Sequence, residues 1–245
     1  MLNKDSMNTL IVALVLCLVC SILVSTVAVA LKPQQTVNKE LDLNKNILAA
    51  AGLLEASDNA QSIIAKIEKF DARFVDLETG LYADVDSGAE VERENAPAGL
   101  ASVKQFQQVY VYTPNGTPEL YVLPVSGPGL WGPMYGFLVL EGDVNTVKGL
   151  SFYQHKETPG LGAKVELDSW KNLWKGKKAF AEAGNVNIVV GSKNIKNDAP
   201  KTDDGYIDGL SGATLTTAGV NDLIRFWLGK PGFAGFLNNL KAGGA

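Results

Sequence analysis

The alternation of apolar and polar residues changes character several times along the chain. Residues 7–31, MNTLIVALVLCLVCSILVSTVAVAL, are apolar almost throughout, and no acid or base lies between Asp5 and Lys32. At 1.5 Å of rise per residue, roughly 20 apolar residues cross a bilayer's hydrocarbon core. The pattern therefore predicts a short tail over 1–8 and a transmembrane helix over 9–31. KPQQTVNKELDLNKN then turns polar and breaks with Pro33, predicting an interfacial linker over 32–46. A folded domain is expected over 47–245, opening with helix-like ILAAAGLL. Asp58 and Gln61 have the spacing of a capping box for a second helix, with Ile63, Ile64, Ile67 and Phe70 recurring at helical intervals.

From about residue 73 the period shortens. RFVDLETG, QVYVYT, ELYVLPV, YGFLVLEGD and VKGLSFYQH are short β-branched and aromatic runs separated by Gly, Pro and Asn-Gly signals, notably Pro114-Asn115-Gly116. DSWKNLW, 168–174, reads as helix and VNIVVG, 186–191, as a further strand. LTTAGVNDLIRFWL places Val220, Leu223, Ile224, Trp227 and Leu228 along one helical face. The expected fold class is α+β, a single transmembrane helix followed by one domain with a mostly antiparallel sheet flanked by helices.

Composition narrows the options. Hydrophobic residues make up 46% and the net charge is -4, an ordinary, slightly acidic balance. No basic stripe interleaved with aromatics appears, which argues against nucleic acid as a partner, whereas the apolar span makes membrane lipid an expected one. Ala28-Val29-Ala30 imitates a signal-cleavage site, but the apolar run exceeds the usual 7–15 residues of a signal core, so a retained anchor is expected. Lys32, Lys39 and Lys45 follow the span while Lys4 precedes it, so the positive-inside count leans towards a cytoplasmic domain. Cys17 and Cys20 both lie inside the apolar run, so the soluble part has no disulfide, thiolate metal site or cysteine nucleophile. His155 is the sole histidine, and no Ser-His-Asp grouping can be argued from it. Asp203-Asp204 reads as a solvated turn pair rather than a metal site.

Three stretches could carry chemistry. DGLSGATLTT, 208–217, gathers Ser211, Gly212, Ala213, Thr214, Thr216 and Thr217 just before the last long helix. Ser211 or Thr214 could cap that helix. The same geometry also makes an anion site, because unpaired N–H groups and the positive end of the helix dipole favour a phosphate. HKETPGLGAK, 155–164, forms a bare turn whose backbone can approach a flat ligand closely. GPGLWGPMYGFLVL, 127–140, flanks Trp131 with glycines and prolines. The strand-GxGxxG-helix pattern and the P-loop pattern are absent.

Asp208 to Thr214 fit the signature D-x-x-[ST]-G-A-T, which resembles the flavinylation motif of flavin-bearing subunits in bacterial membrane redox pumps. By chance S-G-A-T would arise in about one chain of this length in a hundred. The order and separation of GLWGPMYG, ETPGLG and SGATLT, together with the N-terminal span, resemble the NqrC family along almost the whole chain. Members of that family are subunits of the Na+-translocating NADH:quinone oxidoreductase. The related electron-relay subunit of the Rnf ferredoxin:NAD oxidoreductase shares ETPGLG and SGAT and remains an alternative. A cofactor-free, membrane-anchored binding domain with capping hydroxyls is another.

The resemblance implies that Thr214 carries FMN as a phosphoester, placed there by a flavin transferase, with Ser211, Gly212, Ala213 and Thr216 around it. It implies ring contacts from Trp131, Thr158, Gly160, Leu161 and Gly162, with Glu157 either fixing the ring through its side chain or orienting the turn, and no residue acting as acid, base or nucleophile on an external substrate. Asp208 would serve the transferase or brace the loop. The chain would relay electrons within a hetero-oligomeric NADH:ubiquinone reductase of the bacterial inner membrane. The family, and the value of a covalent tether where flavin is scarce, favour a periplasmic domain over the lysine count.

Overall fold

The computed structural model describes residues 4–85, 92–93, 103–191 and 204–244. It divides into two units, Met1–Leu43 and Asn44–Ala245. The described part of the first is helical throughout. Helix α1 runs Lys4–Ala51, so its last turns belong to the second unit. Met7–Ala51 contains a stretch long and apolar enough to cross a membrane. The break expected at Pro33 does not occur: residues 32–46 are helix, with the proline inside it. A proline deletes only one N–H donor, and the Leu, Glu and Lys residues beyond it are good helix formers. At the far end Ile47, Leu48, Ala50 and Ala51 are buried, so packing within the second unit draws the segment into helix. Gly52, at φ +71°, then ends it.

Helix α2 spans Ala60–Ile67. Its capping box lies one residue later than the sequence suggests: Asn59 Oδ1 accepts from Ser62 N–H at 2.9 Å, and Ser62 Oγ accepts from Asn59 N–H at 2.9 Å. Asp58 is engaged elsewhere, accepting from Glu55 N–H and Lys66 Nζ, each at 2.8 Å. The helix stops at Ile67, Ile64 faces outward, and Phe70 opens a strand instead of extending the helical face.

The strands are β1 Phe70–Asp76, β2 Leu81–Ala83, β3 Glu92–Arg93, β4 Val103–Lys104, β5 Phe106–Tyr112, β6 Leu120–Pro128, β7 Pro133–Glu141, β8 Val147–Gln154, β9 Val189–Gly191 and β10 Tyr206–Asp208. Six form an antiparallel sheet in the order β2-β1-β5-β6-β7-β8. The Pro114-Asn115-Gly116 turn joins β5 to β6, with Gly116 at φ +81°. β9 and β10 pair in parallel beside the sheet, and β9 is shorter than VNIVVG suggests, because Val186 instead bridges Phe180. Short helix α3 (Asp168–Lys171) runs into a 3-10 turn over 172–174, and α4 (Thr214–Leu228) and α5 (Ala234–Lys241) close the domain.

Both faces of the sheet are covered. On one, Val109, Val111, Leu123, Val125, Leu138 and Leu140 share a core with Val220, Leu223, Ile224 and Trp227 of α4 and Phe236 of α5. On the other, the end of α1 presses on β8, where a Cβ on Gly149 would meet the Ala50 carbonyl oxygen at 2.5 Å. α4 sits equally close to β6: a Cβ on Gly219 would collide with the Pro128 carbonyl, and one on Gly127 with Leu223. This seating fixes where α4 begins.

Replacing Asn59 by Ala should cost about 1 kcal/mol through loss of the cap, read as a shift in urea midpoint. Lys66, donating to Asp58, holds that carboxyl down at about 2. An acid with a depressed folded value contributes stability that is present above its ordinary value near 4 and lost as pH falls through about 2. The variant Asp58→Asn should therefore flatten stability between those pH values, and an unchanged acid limb would remove the pair from the account.

Candidate functional site

The start of α4 is open. Its cap position is Ala213, and no side chain accepts a hydrogen bond from the first turn. Neither Ser211 nor Thr214 caps it, so helix capping is not what these hydroxyls do. The first paired N–H is that of Thr217, which donates to Ala213 O at 2.9 Å. The N–H groups of Thr214, Leu215 and Thr216 face no acceptor among the described residues. Unpaired amides and the positive end of a helix together make a site for an anion.

The loop leading to this point is held from below. Thr217 Oγ1 accepts from Leu210 N–H at 2.9 Å and donates to Ala213 O at 3.0 Å. Trp170 Nε1 donates to Asp208 O at 2.9 Å, so Asp208 braces the loop through its carbonyl while its side chain is exposed. Lys164 Nζ donates to Ser211 O at 2.9 Å, which brings a cation beside the loop. Gly212 takes φ +81°, a conformation that favours glycine, and a Cβ there would lie 3.2 Å from Leu161 Cδ2.

The hydroxyls divide cleanly. Ser211 and Thr214 are exposed. Thr216 is 0% exposed, and its Oγ1 donates to Glu157 Oε2. Thr217 is buried and committed to the loop.

Glu157 itself is only 5% exposed. Its Oε1 accepts from Trp131 N–H at 3.1 Å, so one carboxylate joins the turn between β6 and β7 to the first turn of α4. Among the described residues no ion pair compensates it. Two glycines make room for it. A Cβ on Gly129 would collide with Oε1, and one on Gly162 would stand 2.5 Å from Oε2 and 2.7 Å from Thr216 Oγ1. The Glu157 N–H donates to His155 Nδ1 at 3.1 Å, while buried Nε2 lies 2.8 Å from Glu166 Oε1 without the alignment of a hydrogen bond. His155 thus stands beside an acid that its sequence spacing did not suggest.

Around this buried knot lies exposed apolar surface. Trp131 is 63% exposed, and Leu161 and Leu215 are also exposed. Thr158 and Gly160 shape the turn below, with Thr158 O accepting from Leu161 and Ala163 N–H, each at 3.1 Å, and Gly160 at φ +76°. The structure therefore joins Trp131, Glu157, Gly162 and Thr216 by direct contact, and Leu161 with Gly212. Thr158 and Gly160 enter through the backbone of their turn. Lys164, Gly129 and Thr217 join the site in addition to the residues that the resemblance implies. The lysine directly after PGLGA was the one signal available for the first. Asp203 lies outside the described residues, and Asp204 Oδ1 accepts from Asn187 Nδ2 at 3.3 Å.

An open helix start with small residues, a nearby lysine and apolar shelves suits a ligand that is both phosphorylated and flat. Known proteins point the same way. The family model described as FMN-binding domain matches residues 129–229, which begin at the Trp131 turn and end just past α4. The NqrC subunit of the Na(+)-translocating NADH-quinone reductase of Pseudomonas aeruginosa is 41% identical over 262 residues, covering 100% of both chains. Its counterpart in Pasteurella multocida is 40% identical, covering 98% of this chain and 97% of its own. The crystal structure of Shewanella oneidensis NqrC superposes with a TM-score of 0.70 at 30% identity, covering 84% of this chain and 99% of that one. The chain is thus a protein with an FMN-binding domain. It belongs to the NqrC family of the Na(+)-translocating NADH-quinone reductase.

The loop under the site can be tested separately from its ligand. Replacing Thr217 by Val leaves the Leu210 N–H unpaired in the interior, which should cost about 1–3 kcal/mol in a denaturation experiment. A variant as stable as the parent would show that this hydroxyl does not hold the loop.

Proposed function

We propose that Thr214 is the attachment point of FMN and that the chain relays electrons within the Na(+)-translocating NADH-quinone reductase. The supporting observation is the division of hydroxyls at the open start of α4: Thr214 is exposed, while Thr216 and Thr217 are buried and hydrogen-bonded. During maturation Thr214 Oγ1 displaces AMP from FAD with help from a flavin transferase. The hydroxyl gives up its proton and a phosphoester forms. Gly212 and Ala213 add little bulk beside the acceptor. The free N–H groups of Thr214, Leu215 and Thr216 favour the negative charge that the phosphate retains, and Lys164 stands close by.

Trp131 and Leu161 offer apolar surface to the ring, and the bare turn through Thr158, Gly160 and Gly162 offers backbone. Bound FMN supplies the electron-transfer chemistry, and this chain contributes tethering, orientation and local charge. These residues hold the cofactor, and none of them acts on an external substrate. α1 anchors the protein through residues 9–31 in the bacterial inner membrane, with the folded domain on the periplasmic side. The electron donors and acceptors are other subunits of the same assembly.

Coexpression with a flavin transferase should add the mass of FMN less water to the peptide containing Thr214, and the denatured band should fluoresce under ultraviolet light. The variant Thr214→Val should lose both signals, and Ser211→Ala should keep both. A fully unmodified peptide from matured protein, or an adduct that survives Thr214→Val, would overturn the assignment.

A further inference from the structure

The Glu157 carboxylate is an unusual object: a buried acid with no cation against it among the described residues, reached by two segments far apart in sequence. Trp131 lies 26 residues before it and Thr216 lies 59 after it. Desolvating a carboxylate is costly unless both oxygens are matched to donors. Here each oxygen has one: the Trp131 backbone N–H on Oε1 and the Thr216 hydroxyl on Oε2. The surroundings are shaped to that geometry, since glycine stands at both positions where a Cβ would strike the carboxylate, Gly129 and Gly162. Behind it, the His155 ring accepts the Glu157 N–H and orients the backbone.

We propose that Glu157 is a positioning residue. Its carboxylate clasps the 129–132 turn to the first turn of α4, so that a group carried on Thr214 meets a Trp131 loop already in place. The α4 arm comes from the residue two positions after Thr214, and the other arm is the amide of Trp131 itself. The two bonds share one rigid group and support one another. When Thr216 can no longer donate, Oε2 is left buried and unpaired, the carboxylate withdraws, and the Trp131 amide is released. The inference deepens the reading of Thr214 as the flavin site and rests on it only for the spectroscopic half of the test.

The full chain is prepared with and without coexpressed transferase, as parent, Thr216→Val, Thr216→Ser and Glu157→Gln. In the flavin-free chain, hydrogen exchange at the Trp131 amide should quicken about tenfold in Thr216→Val, the effect of losing one charge-assisted bond. It should return to the parent rate in Thr216→Ser, which restores the donor. Glu157→Gln keeps the shape with weaker, neutral bonds and should quicken exchange a few-fold. In the flavinylated chain, fluorescence of the attached flavin, which a held indole quenches, should rise in Thr216→Val and fall back in Thr216→Ser. An unchanged Trp131 exchange rate in Thr216→Val and Glu157→Gln defeats the clasp. So does a fluorescence change that Thr216→Ser fails to reverse, because bulk rather than the hydroxyl would then be responsible. If no flavin attaches to any chain, the Thr214 reading fails, and the exchange rates alone still decide for or against the clasp.

Discussion

The close seating of α4 on β6 is the constraint from which the rest of the domain follows. Gly219 lies against the Pro128 carbonyl and Leu223 against Gly127, so helix and strand approach with almost no side chain between them. Trp227 ties the far end of the helix through Nε1 to Ser126 O at 2.6 Å. A helix held this firmly cannot slide or rotate to hide its first turn. Its unpaired amides therefore stay at the surface, next to the loop over 208–213. Burying the apolar face of α4 offsets the cost of leaving that terminus open, since several large side chains on that face leave water together.

An open terminus of this kind departs from local economy. A cap at position 213 would ordinarily stabilise the helix by about 1 kcal/mol, yet the chain places Ala213 there. Trp131, Leu161 and Leu215 likewise stay exposed around it, where a domain built only for stability would bury or replace them. Departures of several local rules at one spot are what a ligand site produces, because the missing partners are those the ligand supplies. The buried Glu157 fits the same description, being a desolvated acid kept where two segments need a common anchor.

Periodicity carried most of the fold. The β-branched runs over 70–154 and the apolar stripe of α4 are governed by burial, and burial leaves a period of two or 3.6 in the sequence. It failed where packing overrode composition. Residues 32–46 are polar and begin near a proline, yet they are helix, because the buried Ile47 and Leu48 lie in the same element. The capping box moved by one residue because Asp58 had a better partner in Lys66. At the site, the resemblance supplied Thr214, Trp131 and the 157–162 turn. Lys164 and Trp170 escaped notice because both act on main-chain carbonyls, of Ser211 and Asp208, and a carbonyl has no residue type to recognise. The Glu157 bridge escaped because its three members lie in separate segments.

Residues 214, 216 and 217 are all threonines within one turn, yet their side chains are not interchangeable. At 3.6 residues per turn each step rotates the chain by about 100°, so positions 214 and 216 face nearly opposite ways. Counting forward by four and seven, Thr216 leads to Val220 and Leu223, both buried in the core, and the seventh residue after Thr217 is Ile224, buried with them. Thr214 leads instead to exposed Ala218 and half-buried Asn221, away from the fully buried stripe. The apolar stripe that fastens α4 to the sheet therefore also selects which hydroxyl remains in solvent. Bringing Thr216 to the surface in place of Thr214 would require turning the helix by nearly half a revolution, out of the contacts that hold it.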